Sequence, residues 1–184
     1  MRTIVLVLLL CVPALADAED GDNFLQGVVG YSTPIAGAQY SEGIGSGGAR
    51  IGLRGGWSGF RNADGSARLG IEASFDFRPV TVGEDSEQQL RMMAGPRLTF
   101  SADPLEVYFR ASVGYDRLYM GDSVNPDGLA LEPGFGAAYR HKGLVIGAEA
   151  AVPIAHHPQV TSGEYMDGFT GADLQVMTFA GASF

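Results

Sequence analysis

The chain has 184 residues, of which 46% are hydrophobic and only 18% charged, with 27 glycines and a formal net charge of −9. That length holds one domain, and the acidic balance disfavours nucleic acid and anionic membrane surfaces as partners. A mean hydropathy of +0.08 without a long apolar run in the body of the chain points to strands rather than helices.

The one long apolar stretch comes first. Arg2 precedes an apolar core from Ile4 to Leu10, and Val12-Pro13 leads into Ala14-Leu15-Ala16. A basic residue, a short apolar core and a small-x-small site predict a secretory signal peptide over residues 1–16, cleaved after Ala16, with Ala18 as the alternative site. The core is too short to cross a bilayer of about 30 Å as a helix. Cys11, the only cysteine, lies in this segment, and Leu8-Leu9-Leu10 does not supply the small residues of a lipoprotein site. The mature chain, residues 17–184, is therefore expected to carry no disulfide in the oxidising compartment it enters.

Downstream, period 2 recurs and no 3.6-residue period is sustained. Phe24 to Tyr31 is the weakest candidate strand. Ala49 to Ser58 sets Ile51, Leu53 and Trp57 against Arg50 and Arg54, and Arg68 to Arg78 sets Leu69, Ile71, Ala73, Phe75 and Phe77 against Glu72, Ser74 and Asp76. Gln89 to Phe100 alternates Leu90, Met92, Leu98 and Phe100 with Arg91 and Arg97. The cleanest strand is Leu105 to Asp116, with Leu105, Val107, Phe109, Ala111, Val113 and Tyr115 on one face and Glu106, Tyr108, Arg110, Ser112 and Asp116 on the other. Leu129 to Arg140 and Leu144 to Val152 place Glu132 and Glu149 on their polar rows. Asp173 to Phe184 alternates less cleanly, because Met177 and Phe179 fall on the polar row. These eight strands are close to the ~9–11 residues that a tilted membrane strand needs.

Connections after the second, fourth and sixth strands are short: Gly59 to Ala67, Ser101 to Pro104, and His141 to Gly143. Those after the odd strands are longer and acidic or Gly-rich: Ser32 to Gly48, Pro79 to Gln88, Arg117 to Gly128, and Pro153 to Phe169. Such alternation fits one rim facing the periplasm and the other the outside.

Period 2 does not say whether the apolar row faces lipid or a dry interior, as in a soluble lipocalin-like barrel. Aromatics end the apolar rows, with Trp57, Phe100, Tyr139 and Phe184 toward the short turns and Tyr31, Phe77 and Tyr115 toward the long loops. Two aromatic girdles bracketing aliphatic residues suit two membrane–water interfaces. The polar rows carry arginine, at 50, 54, 68, 78, 91, 97, 110 and 140, matched by acids at 72, 76, 106, 116, 132, 149 and 173, while Lys142 is the sole lysine. The planar, weakly hydrated guanidinium suits buried ion pairs. The expected fold is all-β, an eight-stranded antiparallel transmembrane up-and-down β-barrel. Its expected lumen network comprises Arg50, Arg54, Arg68, Glu72, Asp76, Arg91, Arg97, Glu106, Arg110, Glu132, Arg140 and Glu149. Eight strands leave an interior just wide enough for side chains to fill, so a plugged lumen is expected, with glycines leaving room for the arginines. Pro96 and Pro133 sit inside strands and predict a bulge at each, or strand ends displaced from the bounds above.

On these features the chain resembles the small outer-membrane β-barrel superfamily that includes the OmpA transmembrane domain, OmpX and the opacity-type surface proteins. The resemblance spans the whole mature chain and rests on the signal peptide, the eight alternating strands, the short turns opposite long loops, the girdles and the terminal Phe184. It implies an outer-membrane location, lipid and lipopolysaccharide around the barrel, and a C-terminal aromatic read by the barrel-assembly machinery. No periplasmic domain is expected to follow the barrel, so the resemblance does not imply peptidoglycan anchoring.

The same resemblance raises enzymes that trim or acylate lipid A, the deacylase type using a His and a Ser two apart with a carboxylate beside them. His141 precedes Lys142-Gly143, and His156-His157-Pro158 precedes Gln159, so no such pair exists in sequence, although a serine or threonine from elsewhere could approach. His156 and His157 with Glu164 and Asp167 could hold a metal, but adjacent strand residues point to opposite sides. Glu84, Asp85, Glu87, Asp122 and Asp127 make an acidic outer rim without EF-hand spacing, and Gly43 to Gly48 lacks a phosphate-loop lysine. No catalytic residue, metal or cofactor is expected. The reading is a monomeric, non-enzymatic surface barrel that serves envelope integrity or surface contact. A narrow pore for small solutes or ions comes second, a lipid-A-modifying enzyme third, and a soluble barrel binding an apolar ligand last.

Overall fold

A computed structural model describes residues 22–37, 47–82, 85–120, 125–158 and 168–184. The expected signal peptide and the tips of the four long connections lie outside these residues. The described residues form strands β1 (Asn23–Gly37), β2 (Gly48–Arg61), β3 (Ala67–Val82), β4 (Asp85–Ala102), β5 (Leu105–Met120), β6 (Asp127–His141), β7 (Leu144–Ala151), β8 (Ile154–His157) and β9 (Phe169–Ser183), with no helix among them. β7 and β8 share one register against both β6 and β9, so they are two halves of a single stave. Eight antiparallel staves follow in chain order, and β1 pairs with β9 to close the barrel. At the closing edge Asn23 N donates to Phe184 O at 3.1 Å and Phe184 N to Asn23 O at 3.0 Å.

The short turns carry their own chemistry. Lys142 and Gly143 both have positive φ, 49° and 75°, the pattern of a two-residue turn whose twist matches the strands it joins. In the 62–66 turn Asn62 Oδ1 accepts from Ala67 N at 2.9 Å, and Asp64 Oδ1 accepts from Ser66 N at 3.0 Å and Ser66 Oγ at 2.7 Å. Those bonds from Ser66 hold the Asp64 carboxyl below its ordinary range.

The strands outrun their expected ends on the opposite rim. Pro79 to Val82 pairs with Asp85 to Gln88, from Pro79↔Gln88 to Val82↔Asp85, and β5 continues to Met120 against Glu87. β1 runs on to Gly37, and β8 adds four residues beyond the expected end at Val152. Beyond the lipid a strand needs no apolar outer row, so pairing continues where alternation stops.

The bulges expected at Pro96 and Pro133 are absent, and neither proline is at a displaced strand end, since they lie within β4 and β6. Register is unchanged across both, and the missing N–H of Pro96 costs only the rungs at 95–96 against β5. Pro133 keeps its pairing with Ala111, and on its other side the stave breaks at Val152–Pro153, where Val152 N donates to Pro133 O at 2.9 Å. The register shifts lie instead between Pro34 and Ala36 and between Trp57 and Phe60.

Side chains sort by face in the reverse sense to a soluble protein. Leu129 (74% exposed), Val113 (62%), Ile71 and Val176 stand outside, whereas Arg54, Arg91, Glu132 and Asp116 are buried inside. This distribution rules out the soluble barrel with an apolar interior, and it is what a bilayer requires of a closed sheet. The outer band is not purely aliphatic at mid-height, since Phe109 pairs with Phe135 and both are exposed.

Candidate functional site: the barrel interior

Inward residues of every stave project into one space, and their charges meet across it. In the middle, Glu149 from β7 receives Arg54 of β2 at 2.6 and 3.0 Å, Arg110 of β5 at 2.6 and 3.0 Å, and the Tyr108 hydroxyl at 2.6 Å. Glu72 from β3 lies 3.2 Å from Arg97, 3.4 Å from Arg110 and 3.5 Å from Arg54. The Arg97 guanidinium also stacks over Tyr108, 3.6 Å from the ring centroid, and lies 4.8 Å from that of Phe24. Arg110 further pairs with Glu132, which links this layer to the next.

Toward the long-loop rim, Arg91 donates to Asp116 at 2.6 Å and to Glu132 at 3.3 Å. Gln89 bridges, donating to Asp116 at 2.9 and 2.8 Å and accepting from Arg50 at 2.6 Å. With its amide oxygen facing the guanidiniums, Gln175 accepts from Arg91 Nη1 at 2.7 Å and Arg50 Nε at 3.1 Å. Asp173 lies 3.9 Å from Arg78 and accepts from Ser32 Oγ at 3.2 Å across the closing edge. Asp76 is buried as well. Toward the short turns Glu106 serves both Arg68 and Arg140, the latter at 3.0 Å.

Each of the twelve residues expected in the lumen faces inward; all are buried except Arg140, which is half-buried. Arg78, Asp116 and Asp173 stand on polar rows and join the same contacts. The polar side chains Gln26, Gln89, Gln175 and Tyr108 were not singled out by charge, yet they fill the gaps between ions. Desolvating so many charges is costly, and the multiple contacts per group are what offset it.

One sector of the lumen is apolar. Val28, Tyr108, Ala138, Val145, Ala151, Met177 and Phe179 form a buried cluster. Met177 and Phe179, which blur the alternation of the last strand, belong here. Some inward glycines make room for these groups rather than for arginine: a Cβ on Gly136 would lie 2.5 Å from Tyr108 Cζ, and one on Gly30 would lie 2.6 Å from Met177 Cγ.

Outside, Trp57, Phe100, Tyr139 and Phe184 are exposed toward the short-turn end, where the shift after Trp57 sets Phe60 edge-on to its ring at 5.2 Å. Tyr31 is exposed toward the other end, and Phe77 and Tyr115 are partly so. His156 faces outward with Nδ1 2.9 Å from Thr170 Oγ1, whereas His157 points inward and stacks on Phe169 at 4.7 Å. The two histidines therefore diverge, and no group of metal-ligating side chains forms among the described residues.

The architecture recurs in solved structures. Neisserial surface protein A superposes with a TM-score of 0.64 at 12% identity, over 89% of this chain and 97% of that one. Ail, the attachment invasion locus protein of Yersinia pestis, gives 0.51 at 16% identity over 90% and 99%. OprG from Pseudomonas aeruginosa gives 0.51 at 12% identity over 91% and 98%. The chain has the fold of the small eight-stranded outer-membrane barrels. No protein-family model and no curated protein matches its sequence. The likeness to these structures is therefore one of backbone path, with the interior chemistry above read from this chain alone.

Proposed function

We propose that the chain is a non-enzymatic surface barrel of the outer membrane, closed to solutes by its own ion pairs. It serves envelope integrity or surface contact through the strands and acidic loops of its outer rim. One observation carries the closed lumen: Glu149 on β7 collects Arg54 from β2 and both Arg110 and Tyr108 from β5, so the interior is crossed by charge-assisted bonds at mid-height. The exposed apolar band supports surrounding lipid, with lipopolysaccharide on the outer side, and export by a cleaved signal peptide fits this placement. Phe184, exposed on the last strand, suits recognition by the assembly machinery, and closure of the barrel through its own β1–β9 pairing is compatible with the monomer we propose. The names of two similar structures, a surface protein and an attachment invasion locus protein, agree with a surface role.

A narrow pore is the second reading, favoured by Arg50 Nη1, Gln26 Oε1 and Asp173 Oδ1, which are buried without a hydrogen-bond partner among the described residues. The enzyme reading has the His156–Thr170 contact in its favour, but the described residues bring no carboxylate to His156 to orient it. Recording in planar bilayers separates the first two. The purified barrel is expected to show no stable single-channel conductance. Steady openings that change with substitutions at Arg54, Arg110 or Glu149 would replace the closed barrel with the pore.

A further inference from the structure

We propose that the short-turn mouth of the barrel binds a small oxoanion, a phosphate or carboxylate group, between Arg68 and Arg140. A cavity of about 190 Å³ opens there, lined by Arg61, Arg68, Ser101, Asp103, Glu106 and Arg140. Here a single carboxylate, Glu106, pairs with the guanidiniums of both Arg68 and Arg140 among the described residues. The Arg68 side chain is only 9% exposed, yet its Nε has no hydrogen-bond partner among the described residues, and Arg140 Nη1 has none there either. Arg61 is already engaged by Asp22. Asp103 sits on the exposed turn at the cavity edge, where solvent screens its charge.

A buried guanidinium N–H left unmade is costly, and two cations sharing one anion leave a positive charge uncompensated. An oxoanion offers several acceptors in the fork geometry that arginine matches, so one group in the cavity can meet two guanidiniums and their spare charge. The middle of the lumen differs, because there each arginine has two or more carboxylates within reach or a ring beneath it.

The test is calorimetric titration of the full refolded barrel in micelles with sodium phosphate and sodium acetate, against sodium chloride at matched ionic strength. Saturable heat is expected with the oxoanions and not with chloride. R68Q and R140Q should each weaken binding about tenfold, while E106Q, which releases two guanidiniums, should tighten it by a similar factor. Heat-modifiable gel migration checks the fold of each variant. If R68Q does not fold, R140Q and the milder R140K decide, since Arg140 is half-buried. No saturable heat with either oxoanion overturns the site, as does an affinity that R140Q leaves unchanged or that E106Q lowers. Repeating the titration with short-chain phosphatidylglycerol in the micelles identifies the source: loss of the phosphate signal assigns a lipid headgroup, and its persistence a free solute.

Discussion

Glu149 shows how much can depend on one acid inside this barrel. It is buried and takes bonds from two guanidiniums and a phenol, so its removal takes an acceptor from three donors at once. Glu149→Ala is expected to cost about 3–5 kcal/mol in urea unfolding from vesicles, whereas Glu149→Gln, which keeps the acceptor oxygen, costs less. Equal losses for the two variants would show that packing, not charge, matters there. The charged partners were legible residue by residue, because an arginine or glutamate on a polar row has one side of the sheet open to it. Met177 and Phe179 were not. Lipid constrains the outer row to be apolar, but the interior of an eight-stave barrel can be packed by ions or by rings, so alternation alone does not foretell an apolar sector inside.

At the scale of elements, the transmembrane part of each strand was readable and its extension was not. Asp85-Ser86-Glu87-Gln88 is polar throughout, yet it pairs with Pro79 to Val82 as a regular hairpin. Leu144 to Val152 reads as a complete strand, but Pro153 only interrupts the stave, since Ile154 to His157 regains the same register. Both cases concern backbone pairing that no side-chain pattern reports. The 62–66 turn offers a pH test of its own. Asp64 has a carboxyl lowered by bonds from Ser66, so its contribution to the turn is present above the ordinary aspartate range and fades as pH falls through the lowered value. Carboxyl NMR titration should place Asp64 below an ordinary aspartate, and Ser66→Ala should move it back up. An unmoved titration would mean that the Ser66 bonds do not form in solution.

For the whole molecule, the reversal of faces gives a sharp expectation. Val113 stands on the outer wall at mid-strand and 62% exposed, where a soluble protein would accept arginine at little cost. Val113→Arg is expected to lower folding stability in vesicles by about 2–4 kcal/mol, measured by urea titration, and no loss would argue against lipid contact. The meeting of β1 and β9 has a kinetic counterpart. Every other pair of neighbouring staves is a hairpin, but Ser32 reaches Asp173 across 141 residues of sequence. Hairpins can zip locally, and only the seam must wait for both ends of the chain, so the entropy of ring closure falls on one late step. A fluorescent pair across Leu25 and Ala182 would then report completion of the ring after a pair across Ala73 and Ala94 has already come together. Until that step the barrel is an open sheet with two raw edges, and closing it converts a chain that could pair with its neighbours into one that pairs only with itself.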